Sequence, residues 1–322
     1  HGVTEALDRL NPDAVVINSY SAPDAQAALL WCRKNRRAAI VLMESKADDA
    51  PRSAGREWIK GHLVRGFDAA LAGGTPQANY LDTFDFPSDA VFFTCDAVDN
   101  AYFREGADAA RASPDAGRGL PGLGGDTPFF LASNRFVGRK NLARLLDAYD
   151  RYRRSAGAGA WRLVMLGDGP LRAQLEQQVA DAGTEGVTFA GFRQIAELPT
   201  YYGRAAAFVH PALVEQWGLV VNEALASGLP VVVSERVGSA TDLVLDGETG
   251  FQFNPEDVTD LAEALARVAT MTPDGRQQMG ARGRLHVEGW SPEQFAKGLW
   301  DAVAHACTRA DRGPSLGLRA VL

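Results

Sequence analysis

Apolar residues in this chain come in short runs, and between the runs they recur at helical spacing. In the first third the runs are "DAVVIN" (13–18), "AAIVLM" (38–43), "DAALAG" (68–73) and "AVFFT" (90–94). Such runs are too short for helices and predict buried strands. Helical periodicity fills the gaps near 23–35, 55–66 and 74–84. A second series follows, with strands at "PFFLAS" (128–133), "RLVML" (162–166), "VTFA" (187–190), "AAFVH" (206–210) and "VVVS" (231–234). Its helices are expected near 140–154, 170–182, 195–204, 218–227, 240–245, 256–269, 274–284 and 291–306. Regular alternation of strand and helix predicts βα units and parallel sheets, an α/β protein.

Between the two series the pattern lapses. "EGADAARASPDAGRGLPGLGGDT" (105–127) is rich in Gly, Ala, Pro and Asp and poor in large apolar residues, which reads as a linker. Its "GRGLPG" matches the letters of a dinucleotide loop. Such a loop follows a strand and opens a helix, whereas this one precedes a strand, which argues against a dehydrogenase. The expected organisation is an N-terminal Rossmann-like domain (1–104), the linker (105–127) and a second domain (128–290). A C-terminal helix and tail (291–322) would follow, the helix crossing back to the first domain. The end, "TRADRGPSLGLRAVL", is expected to be poorly ordered. In open parallel sheets ligands bind beyond the carboxyl ends of the strands, so two such domains are expected to face a cleft.

Composition narrows the function classes. The chain has 322 residues, 46% hydrophobic and 23% charged, and a net charge of −7, without the basic stripe of a nucleic-acid binder. Cys32, Cys95 and Cys307 are widely spaced, odd in number and form no C-x-x-C, which favours reduced thiols and a cytoplasmic location. The five histidines form no H-x-x-x-H or H-E-x-x-H pair, so no metal or resident cofactor is expected. No apolar run approaches ~18 residues, so no bilayer span is expected, and peripheral contact with a membrane surface stays open.

The densest chemistry lies in "HPALVEQWGLVVNEALASGLPVVVS" (210–234). Glu215 precedes a helix start at Gly218, and Glu223 lies a turn or more inside that helix. The first helical amides have no intrahelical partner and favour anions, and Gly218 lets a ligand approach them. Two carboxylates at this spacing would meet hydroxyl groups at separate points of a long ligand. The competing reading is dipole compensation plus a solvated helix glutamate. Upstream, Arg135 and Lys140 follow the strand ending at Ser133, where two cations can grip a diphosphate; a solvated basic loop is the alternative. "LGDGP" and "AGF" add strand–glycine turns at Gly167 and Gly191; a lone G-x-G reads better as a plain tight βα turn than as a nucleotide loop, and the second turn, with Phe192 after it, offers a loop for a nucleobase. Trp217 either borders a sugar or packs in the core, and Tyr201–Tyr202 reads as helix packing.

In this order the pieces resemble the retaining glycosyltransferases of family 4, with the GT-B fold of two tandem Rossmann-like domains. The matching stretches are "ASNRFVGRKNLARLLDAY", "LVMLGDGPL", "VTFAGF", "AELPTYYGRAAAFVHPALVEQWGLVVNEALASGLPVVVS" and "VGSATDLVLDGETGFQFNPED". The resemblance implies a nucleotide-diphosphate sugar as donor. Arg135 and Lys140 would hold its diphosphate, Glu223 the ribose hydroxyls and Glu215 the sugar hydroxyls. Gly218 and Leu219 would offer backbone groups to phosphate or sugar, and Gly191 and Phe192 would hold the base. Gly167, Leu198, Trp217 and Val220 complete the implied donor set, with Glu215, Arg135 and Lys140 as the catalytic residues. It implies transfer without a metal, to an acceptor hydroxyl that the sequence does not name.

The first domain departs from that family. Its opening strand, glycine-rich loop and helix are absent, and "VLMESKADDAPRSAGREWIK" stands where a histidine is usual. The expectation is therefore an N-terminal domain lacking its first βα units, with Glu44, Asp49 and Arg52 as candidate acceptor contacts. Two other readings stay open: a non-catalytic nucleotide-sugar-binding protein or partner subunit, and a sugar-nucleotide epimerase of related fold.

Overall fold

The computed structural model describes residues 2–113, 115–310 and 318. Most of the tail after Thr308, and His1, lie outside the described residues. The chain divides into two compact units, one of residues 1–97 with 292–322 and one of residues 98–291.

In the first unit, β1 (Ala14–Ile17), β2 (Ala38–Met43), β3 (Ala69–Ala72) and β4 (Val91–Phe93) form a parallel sheet in the order β1-β2-β3-β4. β2 and β3 are covered on both faces, so their runs are almost wholly apolar. Four helices connect and flank them: α1 (Gly2–Leu10), α2 (Pro23–Asn35), α3 (Ala54–Val64) and α4 (Thr75–Asp82). One buried charge pair fixes this unit. Arg33 of α2 donates to Asp68 at the entry of β3 (2.9 Å through Nη1), and Asp68 also accepts from the Ala39 amide at 2.9 Å.

The second unit begins earlier than composition predicts. Residues 100–112, which straddle the expected first domain and linker, form α5 (Asn100–Ala112), capped by Asp99 accepting from the Tyr102 amide at 2.9 Å. The linker expected from residue 105 is therefore helix as far as Ala112. Its small residues serve close packing on α8 (Leu198–Arg204). A Cβ on Gly106 would lie 2.5 Å from Pro199, and one on Gly203 would lie 2.5 Å from the Ala107 carbonyl. "GRGLPG" makes turns before β5, with the Pro121 carbonyl accepting from Tyr201 at 3.0 Å.

The second sheet is parallel, in the order β10-β9-β8-β5-β6-β7. Its strands are β5 (Phe129–Ser133), β6 (Arg162–Leu166), β7 (Val187–Gly191), β8 (Ala207–His210), β9 (Val231–Ser234) and β10 (Gly250–Phe253). β10 is an edge strand that the apolar runs do not reveal, because "GFQF" is short and alternates. On one face, α6 (Leu142–Ala156), α7 (Arg172–Ala182) and α11 (Val258–Thr270) bury a core around Phe130, Leu145 and Leu265. On the other, α5, α8, α9 (Leu219–Ala226), α10 (Ala240–Leu243) and α12 (Pro273–Val287) pack on Leu131, Phe208 and Val233. α13 (Pro292–Arg309) belongs to the first unit and packs on β2, β3 and β4. None of the described helices is long and apolar enough to cross a membrane.

Candidate functional site

The chain winds β5, β6, β7 outward and then returns to place β8 on the other side of β5. That reversal is the switch point at which an open α/β sheet leaves a crevice beyond its strand ends. A cavity of about 600 Å³ lies there in the second unit. Its wall includes Ser133, Asn134 and Arg135 after β5, Arg139 and Lys140, Gly167 after β6, Phe192 and Arg193 after β7, Leu198 of α8 and Val220 of α9. Sequence reasoning named Arg135, Lys140, Gly167, Phe192, Leu198 and Val220 for the donor, and they share this hollow.

Local structure explains how each reaches it. Lys140 ends a tight turn (Gly138–Lys140) that hands over to α6 through Asn141 in the left-handed region (φ 58°). The Asn141 side chain donates to the Pro255 carbonyl at 2.8 Å, which holds that conformation. Gly167 has φ 118°, and a Cβ there would fall 1.7 Å from the Asn134 carbonyl. Its glycine thus serves the crossing of the chain's own backbone as well as lining the cavity.

Glu215 sits on a loop pinned from three sides. The Leu213 amide donates to the Arg139 carbonyl (2.9 Å), the Gly238 amide to the Glu215 carbonyl (3.1 Å) and the Ser239 amide to the Trp217 carbonyl (3.0 Å). The Glu215 carboxylate contacts the Lys140 ammonium directly, and Arg139 Nη1 lies 4.0 Å from its other oxygen. Burial and the neighbouring Arg139 charge pull the Lys140 pKa down to about 8, while the touching carboxylate acts in the opposite direction. Gly218, at φ 100°, begins α9 in the left-handed region. A Cβ there would stand 3.3 Å from Glu215 Cγ.

Glu223 lies one turn inside α9. It accepts a 2.6 Å hydrogen bond from Tyr202 of α8, whose hydroxyl is also bonded to Ser133 in the cavity wall. Burial pushes the Glu223 carboxyl up to about 7, with the Tyr202 bond acting against it. Arg135 is exposed and makes no ion pair among the described residues.

Other expected residues fall differently. Trp217 is only 3% exposed; its indole donates to Asn222 at 2.9 Å and stacks near Trp290, so it supports the loop from beneath. Leu219 is exposed at the helix start, and Gly191 ends β7, where a Cβ would stand 3.7 Å from the Arg172 guanidinium and 3.8 Å from that of Arg193. Glu44, Asp49 and Arg52 belong to the first unit. Arg52 and Asp49 are paired with each other, and Arg52 also donates to Tyr80 at 2.7 Å. Glu44 is exposed beyond β2, and its charge, after burial, helps push Asp96 up to about 6. Among the described residues no group of His, Cys, Asp and Glu is arranged to hold a metal ion.

Sequence reasoning missed Arg139, Asn134, Arg193 and His210, and read Tyr202 as packing alone. Both side-chain amide atoms of Asn134 are buried without a hydrogen-bond partner. His210, at the end of β8, is wholly buried, and neither ring nitrogen has a hydrogen-bond partner. Its one local signal is its place at a strand end before Pro211.

Residues 119–286, just over half of the chain, match the family described as "Glycosyl transferases group 1". The chain belongs to this family. It is 30% identical over 242 residues to the sulfoquinovosyl transferase of Arabidopsis thaliana, covering 71% of this chain and 42% of that protein. It is 33% identical over 192 residues to a GDP-mannose-dependent phosphatidylinositol monomannoside mannosyltransferase of Mycolicibacterium smegmatis, covering 56% and 49%. To the D-inositol 3-phosphate glycosyltransferase of Frankia alni it is 30% identical over 277 residues, covering 81% and 65%. The matches thus span about half of these relatives' length. Among solved structures, the sucrose-phosphate synthase of Thermosynechococcus elongatus aligns over 95% of this chain and 76% of its own at a TM-score of 0.74 and 22% identity. The Anabaena protein HepE, solved with UDP, aligns over 94% and 81% at 0.76 and 16%. These likenesses agree with the two parallel α/β units described above and show the GT-B fold.

Proposed function

We propose that this chain is a retaining, metal-independent glycosyltransferase of family 4, moving a sugar from a nucleotide-diphosphate sugar to an acceptor hydroxyl. The observation that carries the reading is one cavity at the switch point of the second sheet. Arg135 and Lys140 line it, Glu215 touches Lys140, and Glu223 joins its wall through Tyr202 and Ser133. That order matches a ligand that alternates hydroxyl, phosphate and hydroxyl. It explains why a carboxylate stands on each side of one helix start.

In the proposed reaction the bond from the anomeric carbon to the phosphate oxygen breaks, and its electron pair stays on the diphosphate. Arg135, Lys140 and the first amides of α9 stabilise the charge that develops there. The acceptor oxygen attacks from the face the diphosphate leaves, so configuration is kept, and its proton passes to a leaving phosphate oxygen. Glu215 orients the sugar through its hydroxyls, Glu223 holds the ribose, and Phe192 lies against the base. Two cations lining the cavity, Arg135 and Lys140, in place of a divalent ion support metal independence. The relatives' use of GDP-mannose and the presence of UDP in a structural neighbour support a nucleoside diphosphate donor. Three unpaired thiols support a cytoplasmic setting.

The test is calorimetry with UDP, GDP and their sugar conjugates, followed by donor turnover with and without EDTA. Binding plus transfer that survives EDTA is expected. Binding without turnover would leave a nucleotide-sugar-binding protein, and interconversion of the free donor would make it an epimerase. No binding of any of these ligands would overturn the donor reading.

A further inference from the structure

His210 raises a question that the donor site does not answer. Its side chain is sealed from solvent, yet neither ring nitrogen has a hydrogen-bond partner. A buried polar group without a partner is costly, so a purely structural histidine here would be a poor choice beside an apolar residue. Phe208 stacks on it at 6.3 Å, a contact that a leucine or phenylalanine could also make. The polar atom near it belongs to the site: Glu215 Oε2 lies 3.5 Å from Nε2, too far and too poorly aligned for a hydrogen bond. That same oxygen is in contact with the Lys140 ammonium. Gly218 is the third member of the cluster, because a Cβ there would stand 3.6 Å from Nε2 and 3.3 Å from Glu215 Cγ. The absent side chain leaves room for the carboxylate to swing toward the ring.

In the structure Lys140 is committed to Glu215. A diphosphate that recruits Lys140 would strip Glu215 of its contacting partner and leave a largely buried carboxylate with only the exposed Arg139 guanidinium, 4.0 Å from its other oxygen. We infer that His210 is a positioning residue: as the neutral imidazole with its proton on Nε2, it takes over Glu215 by a hydrogen bond when Lys140 turns to the diphosphate. The inference rests on the proposed donor reading. The carboxylate at Nε2 selects that tautomer, and burial together with the Lys140 and Arg139 charges keeps the ring from becoming a cation. Glu215 then stays charged and aimed at the sugar hydroxyls while Lys140 works elsewhere. His210 thereby lowers the cost of breaking the Lys140–Glu215 pair each time donor binds.

The experiment is calorimetric titration of UDP and GDP into the wild-type chain and into His210→Leu, His210→Gln, Glu215→Gln and the His210→Leu/Glu215→Gln double variant, with a melting temperature for each. His210→Leu is expected to weaken binding of whichever nucleotide the wild type takes by about tenfold, the size of a hydrogen bond to a charged group. His210→Gln, which keeps an N–H near the same place, is expected to recover most of that loss. In the Glu215→Gln background, where no anion needs rescuing, His210→Leu should change affinity less than twofold, which is the non-additivity of a coupled pair. The melting temperature of His210→Leu is expected to hold or rise. Equal affinity in wild type and His210→Leu overturns the inference, as does a tenfold loss that persists unchanged in the Glu215→Gln background. A steep fall in melting temperature with His210→Leu assigns the ring a packing role and also overturns it. Failure of the wild-type chain to bind either nucleotide strikes the donor reading itself and removes the ground the inference stands on.

Discussion

Glu223→Gln separates a ligand-binding carboxylate from an ordinary helix glutamate without any substrate. In the folded chain burial lifts the Glu223 carboxyl from 4.5 to about 7, against the pull of the Tyr202 hydrogen bond. The folded state therefore binds the proton more tightly than the unfolded chain does. The stability linked to that proton is fully present below pH 4.5 and is lost as pH rises through about 7. At about 1.4 kcal/mol per pH unit, the full loss is about 3 kcal/mol. Glutamine has the shape of the protonated acid and still accepts from Tyr202, but it never ionises. Relative to wild type, Glu223→Gln should thus be near neutral at about pH 4.5 and gain up to about 3 kcal/mol by pH 8. Urea midpoints at pH 5, 6, 7 and 8 read this out through the tryptophans of the second unit, Trp161, Trp217 and Trp290. The two units can unfold separately, so the transition that carries the pH-dependent shift is the one to follow. The slope of the difference matters more than its absolute value, because the glutamine N–H₂ has its own partner to find. A difference that stays flat from pH 5 to 8, or one in which glutamine loses ground as pH rises, would refute the argument that Glu223 is held ionised at a cost. Such a cost is what a residue kept for ribose hydroxyls would show.

Further outcomes follow from the same geometry. Arg135→Ala and Lys140→Ala are each expected to lower kcat by about 10²–10³, the usual effect of removing one transition-state donor, and wild-type turnover from either would take it out of the mechanism. Because Lys140 is drawn down to about 8, activity should fall as pH rises through that value. Lys140→Arg should move the alkaline limb upward in a kcat/KM profile, and an unmoved limb would assign it to another group. In the first unit, Asp68→Ala should cost about 3–5 kcal/mol in chemical denaturation, because it leaves Arg33 charged and buried, whereas a loss under about 1 kcal/mol would show that the pair is not what holds α2 to the sheet.

Much of this architecture is written locally. Strands covered on both faces must be continuous apolar runs, so β2, β3, β8 and β9 are visible as "AAIVLM", "DAALAG", "AAFVH" and "VVVS". The two glutamates, the glycine between them and the two upstream cations could be assembled as a site because each follows a strand end. In a parallel sheet those ends all lie at one edge. Where local pattern and tertiary demand diverge, the sequence misleads. Residues 105–112 have linker composition because α5 packs so closely on α8 that only small side chains fit between them. β10 shows only alternation, because Phe251 and Phe253 fill the core while Gln252 between them donates to the Ala240 and Val244 carbonyls.

What the tertiary structure alone decides is which group each polar side chain answers to. Tyr202 meets Glu223 across 21 residues, and Lys140 meets Glu215 across 75. His210 comes beside that second pair with no hydrogen-bond partner of its own. Composition and periodicity record how much of a segment is buried, because burial is a property of the segment. Pairing is a property of two distant segments and the topology that joins them, so it became readable only when the sheet order brought β5 between β6 and β8.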